Sequence, residues 1–304
     1  MRITFVKAVT EFAKKNPNVI LLTGDLGFSV FEDFIQTCPN QFINAGIAEQ
    51  NMTGMAAGLA SEGKIPVIYS IIPFVTMRNF EQIRNDICYQ NLNVKIVGVG
   101  AGFSYGPYGH THHALEDIGI LRTLANMAIF CPGDPVEVQA TTEAMLQSKG
   151  PTYLRLGKAG EPVIHSGNIH FQIGKGIVIE KGTDLTIVAT STMVYRALEV
   201  TKQLQSKNIS VRLVSMPTIK PLDEELIRQC VQETKKIFSL EEHSVIGGLG
   251  SAVSEVIAEY GKPVVFKRIG VPDRFTKVIG RQEHMRRANN LECDQIVDTI
   301  LTSL

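Results

Sequence analysis

The sequence predicts an α/β protein of two doubly wound domains, each built on a mostly parallel sheet. Three observations carry that expectation. Short apolar runs of strand length alternate with longer segments of helical period, the pattern that βαβ units leave. The chain has 304 residues, enough for two domains of ordinary size. Between the two alternating stretches, Gly157 to Ile173 is rich in Gly, Pro and polar residues and has no period. The division is therefore 1–160 for the first domain, 161–173 for a linker and 174–304 for the second.

Taken in order, the first half begins with an amphipathic helix around Ile3–Lys15. Lys and Glu interrupt its apolar pattern, so it does not read as a signal peptide. "NVILLTGDLG" is a short buried strand that ends in a Gly-rich turn. After the turn at Ala45-Gly46 a helix runs from about Glu49 to Glu62, and "IPVIYSI" is the next strand. Phe74–Gln90 reads as a helix, with apolar residues three and four apart. "NVKIVGVGAG" is a strand entering a Gly-rich loop that ends at "HTHH". "LEDIGILRTL" is helical and "MAIFCP" a strand. "DPVEVQATTEAMLQS" is a helix capped by Asp134, and "PTYLRL" a strand. The second half repeats the alternation through "DLTIVATST", "MVYRALEVTKQLQS", "ISVRLVSMPTIKP", "DEELIRQCVQET", "KIFSLEEHS", "LGSAVSEVIAEYG" and "PVVFKRIGV".

Composition narrows the function. Apolar residues make up 44% and charged residues 20%, a normal globular balance, and the formal net charge is zero. A general nucleic-acid or acidic-membrane surface is not expected. No apolar run approaches the roughly 20 residues of a bilayer span. Five cysteines are scattered without a CxxC pair, which suits reduced thiols in a cytoplasmic protein.

In doubly wound sheets the working residues sit on loops after the carboxyl ends of strands. That selects the loop at Gly24–Phe28, the segment Ile71–Phe74, the loop Gly100–His113 and the turn after Leu156. It also draws attention to Glu49, an acid at the start of a helix of small and apolar residues. The helix dipole favours its anion there, while tight apolar packing opposes it. A plain capping role is the simple alternative.

"INAGIAEQNMTGMAAGLASEGKIPVIYS" resembles the start of the pyrimidine-binding domain of thiamine-diphosphate enzymes, the transketolases and 1-deoxyxylulose-5-phosphate synthases in particular. The resemblance implies that Glu49 bonds a ring nitrogen of the cofactor's aminopyrimidine and triggers its activation. "YSIIPFVTMRNFEQIRNDICYQNLNVKIVG" resembles the segment that follows in those families. By that match Phe74 packs on the pyrimidine ring, and Ile71 stands where the family has another aromatic. Asp25, on the loop after the first strand, is the further cofactor-side candidate.

"GAGFSYGPYGHTHHALEDIGILRTLANM" resembles the family's substrate loop, with Thr111-His112 on its Thr-His pair. The match implies that His112 faces the substrate carbonyl or hydroxyl, where an imidazole suits proton transfer near neutral pH. His110 and Tyr108 accompany it on the substrate side. Tyr108 stands where transketolases have an Asp, and Gly100 where they have a His. Lys158, in "GPTYLRLGKAGEP", falls where an Arg grips the substrate phosphate. The H-x-H-H run also suggests zinc, but no Cys or further His lies at a convincing spacing, so no metal is assigned to this chain.

"VSMPTIKPLDEELI" and "SLEEHSVIGGLGSAVSEVIAE" resemble the C-terminal domain of the same superfamily, where His243 has a structural role. The family's metal-binding "G-D-G" motif with its later Asn is absent. The resemblance therefore implies a split transketolase. This chain would be its C-terminal subunit, and an N-terminal subunit would bring Mg²⁺ or Ca²⁺ and hold the diphosphate of a shared thiamine diphosphate. The partners implied are that subunit, a second copy of this chain in an α2β2 assembly, and a sugar or sugar phosphate. The alternatives are the beta subunit of a 2-oxoacid dehydrogenase, a relative of 1-deoxyxylulose-5-phosphate synthase, and a non-catalytic scaffold of the same fold.

Overall fold

The computed structural model describes residues 1–27, 29–167 and 169–304. Phe28, which closes the first of the selected loops, and Asn168, in the linker stretch, lie outside the described residues.

Among the described residues the apolar runs form twelve strands: β1 Val19–Thr23, β2 Phe42–Asn44, β3 Ile65–Ile71, β4 Lys95–Val99, β5 Ala128–Phe130, β6 Thr152–Leu156, β7 Ile177–Glu180, β8 Leu185–Ala189, β9 Val211–Ser215, β10 Thr218–Lys220, β11 Lys236–Ser244 and β12 Val265–Val271. Every residue of β1, β4, β6 and β8 is buried. Burial on both faces is why these runs are continuous rather than alternating. Seven strands form one sheet in the order β10-β5-β6-β4-β3-β1-β2, and five form the other in the order β12-β11-β8-β9-β7. Both are parallel except at one edge, where β10 runs antiparallel to β5 and β7 antiparallel to β9. The fold is α/β with two mostly parallel sheets, as the alternation predicts.

Three readings are corrected. "ISVRLVSMPTIKP" is two strands rather than one: β9 belongs to the second sheet, and the chain then crosses to add β10 to the first. Pro217, between them, cannot donate to a ladder, but its carbonyl accepts a 2.7 Å bond from Cys131 N at the end of β5. Phe74–Gln90 is not one helix. It divides into Ile72–Thr76, Phe80–Gln82 and a wide π-type stretch, Ile83–Cys88. At the break Asn79 is buried and its Nδ2 donates to Thr53 Oγ1 at 2.6 Å. Finally, the helices Glu32–Thr37, Gln282–Ala288 and Cys293–Leu301 and the strands β2 and β7 have no counterpart among the expected elements. The shortest of them, Glu32–Thr37 and β2, are too short to show a period.

Among its described residues the stretch 157–173 contains no helix or strand, yet it is tied down. Asp134 caps the helix Pro135–Gln147 through Glu137 N, and its other oxygen accepts from Ile164 N and His165 N at 2.8 and 3.0 Å. His165 Nε2 meets Glu137 Oε1 at 2.8 Å, and that carboxylate raises the imidazole's pKa.

Candidate active site

Glu49 is the first residue of the helix Glu49–Ser61, which packs its Met52, Thr53, Ala56 and Ala57 face inward. The acid is 2% exposed and its Oε2 accepts from Arg78 Nη1 at 2.7 Å. The break in the helical segment after β3 turns Arg78 toward it. Arg78 also lies over the Phe74 ring, its guanidinium carbon 4.6 Å from the centroid. Gly24, at the end of β1, stands beside the same carboxylate: a β-carbon built on it would lie 3.7 Å from Glu49 Oε1. Asp25 follows with a φ of 54°, fixed by two bonds to Asn44 of 3.0 and 3.1 Å. Ile71 ends β3 and packs on the core around Tyr69 and Val99.

The loop 100–113 continues this wall. The His112 ring meets Phe74 edge-on at 5.2 Å and lies 5.1 Å from Tyr108, which is exposed. Thr111 Oγ1 is 2.9 Å from His112 Nδ1. Partial burial lowers the pKa of His112, so the neutral imidazole dominates at neutral pH. Glu49, Arg78, Phe74, His112 and Tyr108 thus form one continuous wall. His110 does not join it. Its ring stands 5.3 Å from both His113 and Phe275, on a 360 Å³ cleft toward the second domain. Lys158 reaches the group only through Tyr105, its Nζ 4.9 Å from that ring's centroid. Its other side faces a 330 Å³ cleft shared with Arg196 and Arg286.

Tyr105 also accounts for Gly100. Gly100 has a φ of +96°, and a β-carbon there would fall 2.3 Å from the Tyr105 ring. The aromatic ring fills the volume a side chain at 100 would need.

The pyrimidine half of thiamine diphosphate suits these residues. A buried carboxylate can meet a ring nitrogen, and Phe74 offers a ring face once Arg78 moves off it. No group of three or more His, Cys, Asp or Glu able to hold a metal ion occurs among the described residues.

Residues 1–160 match the family described as transketolase, pyrimidine binding domain, and residues 174–296 match transketolase, C-terminal domain. The chain belongs to the transketolase family. One subunit of the apulose-4-phosphate transketolase of Actinobacillus succinogenes is 39% identical to this transketolase chain, over 88% of it and 86% of the relative. A 6-deoxy-6-sulfo-D-fructose transketolase subunit of a Clostridium species is 36% identical, over 98% and 92%. Among solved structures, a split-gene transketolase described as an inactive beta4 tetramer superimposes with a TM-score of 0.90 at 39% identity, over 99% of this chain and 96% of that one.

Arg78 and Tyr105 are the site residues that sequence reasoning misses. Arg78 lies within the family-like segment, but a continuous helix there gives no reason for it to face Glu49. Tyr105 is signalled only by the glycine at 100, and the link between them is visible only once the loop is folded.

Proposed function

We propose that the chain is the C-terminal subunit of a split transketolase. It would transfer a two-carbon ketol unit between sugars or sugar phosphates, together with a diphosphate-binding N-terminal subunit. The observation that carries this reading is the buried Glu49 carboxylate beside the Phe74 face, with a neutral imidazole, His112, against the same ring. Family membership and the printed names of the relatives support it.

Bound thiamine diphosphate would supply the nucleophilic ring carbon that ketol transfer requires. Glu49 Oε2, now on Arg78, would hold a proton at a pyrimidine ring nitrogen, and the dry surroundings would strengthen that bond. Arg78 must first turn away, and its half-exposed side chain leaves it room to do so. Phe74 would pack on the ring, with Ile71 and the Gly24-Asp25 turn bounding the cofactor's side. His112 would pass a proton to and from the substrate oxygen. Lys158 would attract an anionic group at the far end, and Tyr108 would line the entrance in place of a hydroxyl-reading carboxylate. The partner subunit would hold Mg²⁺ or Ca²⁺ with the diphosphate. Two copies of each chain would make the assembly.

Calorimetry with thiamine diphosphate and Mg²⁺ tests the reading. We expect no binding to this chain alone and binding after addition of the diphosphate-binding subunit. The mixture should transfer ketol units, and Glu49→Gln should slow it by about 10²–10⁴-fold, the scale of lost proton transfer. Tight binding by the isolated chain, or full activity in Glu49→Gln, would overturn it.

A further inference from the structure

We propose that Glu242, from the second domain, is a positioning residue for the histidine loop, fixing the segment 100–113 that presents Tyr108 and His112. This rests on the reading that His112 faces substrate, but the contacts themselves do not depend on it.

Glu242 lies near the carboxyl end of β11 and is buried. Its Oε1 accepts from the backbone N–H of Phe103 at 2.8 Å. Its Oε2 accepts from Arg286 Nη2 and Nε at 2.6 and 3.0 Å and from Thr192 Oγ1 at 3.0 Å. Gln282 Nε2 reaches both oxygens and also Ser104 Oγ, at 3.3 Å from the latter. Burial alone would raise this carboxyl's pKa. The Arg286 charge and the bonds from Arg286, Phe103 and Gln282 outweigh burial and lower it, so the group is an anion.

The loop backbone lies directly on that carboxylate. A β-carbon on Gly102, whose φ is +61°, would fall 2.5 Å from Glu242 Cδ, so the approach requires glycine. The same strand end grips the other side of the loop. Ser244 N donates to Leu115 O at 2.8 Å, and Arg155 Nη2 bridges Ala114 O and Glu242 O at 2.8 and 3.1 Å. Gly102 and Ala114 close the stem with reciprocal bonds of 3.1 and 3.0 Å. Between these anchors Phe103 stacks edge-on against His113 at 5.2 Å. Both ends of the loop therefore hang from the end of one strand of the second domain. Three of these grips depend on side chains, those of Arg155 on Ala114 O, Gln282 on Ser104 Oγ and Glu242 on Phe103 N, and the last is made by a buried carboxylate to the loop backbone itself.

The test combines hydrogen exchange of the full chain, followed over residues 100–113, with kinetics of the complex formed with the diphosphate-binding subunit. Glu242→Gln keeps the shape and removes the charge. We expect loop exchange to rise about tenfold, the effect of about 1.4 kcal/mol less protection. We expect kcat to fall about 100-fold, as misplacement by an ångström can cause. Thiamine diphosphate affinity of the complex should stay within about twofold, because the cofactor contacts lie on other elements. Thr192→Val removes a neutral grip on the same carboxylate from a residue outside the loop and should give a weaker form of the same pattern. It decides the question if Glu242→Gln does not fold. Unchanged loop exchange in a folded variant would overturn the proposal. So would a loss of cofactor affinity as large as the loss of kcat, which would make Glu242 a general prop. If the wild-type complex proves inactive, the reading of function fails, while loop exchange still decides the role of Glu242.

Discussion

At the scale of single residues, the site shows how one substitution is absorbed by another. Gly100 stands where the transketolase pattern has a histidine, and Tyr105 fills the space that histidine would need. Restoring the family residue alone should therefore fail. We expect Gly100→His to destabilise the chain by about 2–4 kcal/mol, from a collision in a buried place added to a left-handed backbone. Adding Tyr105→Ala should recover part of that loss, leaving the backbone cost. Urea denaturation of the single and double variants checks this, and additive losses would show that the two positions are not coupled. The candidate site residues that sequence makes legible are those that belong to contiguous family-like stretches, Glu49, Phe74, Tyr108 and His112, and the structure places these four near one another through Arg78. Arg78, Tyr105 and Glu242 are not legible, because each acts across a distance that only folding creates. The bond from Phe103 to Glu242 spans 139 residues of sequence.

At the scale of elements, the long alternating runs are readable because burial on both faces leaves an unbroken apolar signature. The broken helix after β3 is not. A buried Asn79 paired with Thr53 is a tertiary cause, and local spacing still looks helical. The strand–turn–helix unit around "EEH" carries a titration of its own. His243 is fully buried, its Nδ1 donating to Ser244 O at 2.8 Å while Nε2 accepts from Gly119 N at 3.2 Å. That arrangement needs the neutral ring, and burial lowers its pKa to about 4. The unfolded chain has a more ordinary value, near 6.5. It binds the proton first as pH falls, so the contribution of His243 to stability is complete above about pH 6.5 and is lost toward pH 4. The difference is worth about 3 kcal/mol over that window. Denaturant unfolding at pH 7 and pH 4.5 should show the loss in the wild type and a smaller one in His243→Gln. Equal losses in both would assign the acid sensitivity elsewhere.

At the scale of the molecule, the two halves are interlocked. Strand β10 leaves the second half to complete the edge of the first sheet. Arg155, in the first sheet, is fully buried and donates to Asp117 at 2.8 Å, to Ser191 Oγ at 3.2 Å and to Glu242 O at 3.1 Å. A buried arginine stripped of some of its acceptors is costly. The halves should therefore not fold apart. We expect the full chain to unfold in one calorimetric transition and a fragment of residues 1–173 to lack a cooperative transition. Two separate transitions in the full chain would refute this.

The crossing of β10 has a further consequence during synthesis. As the chain leaves the ribosome, β5 emerges with its outer edge bare, and its neighbour is not made until β7, β8 and β9 have followed. Until then the nascent first sheet offers unpaired N–H and C=O groups to any other chain nearby. The brevity of β5, only Ala128–Phe130, limits that hazard by giving a stranger too little edge to hold.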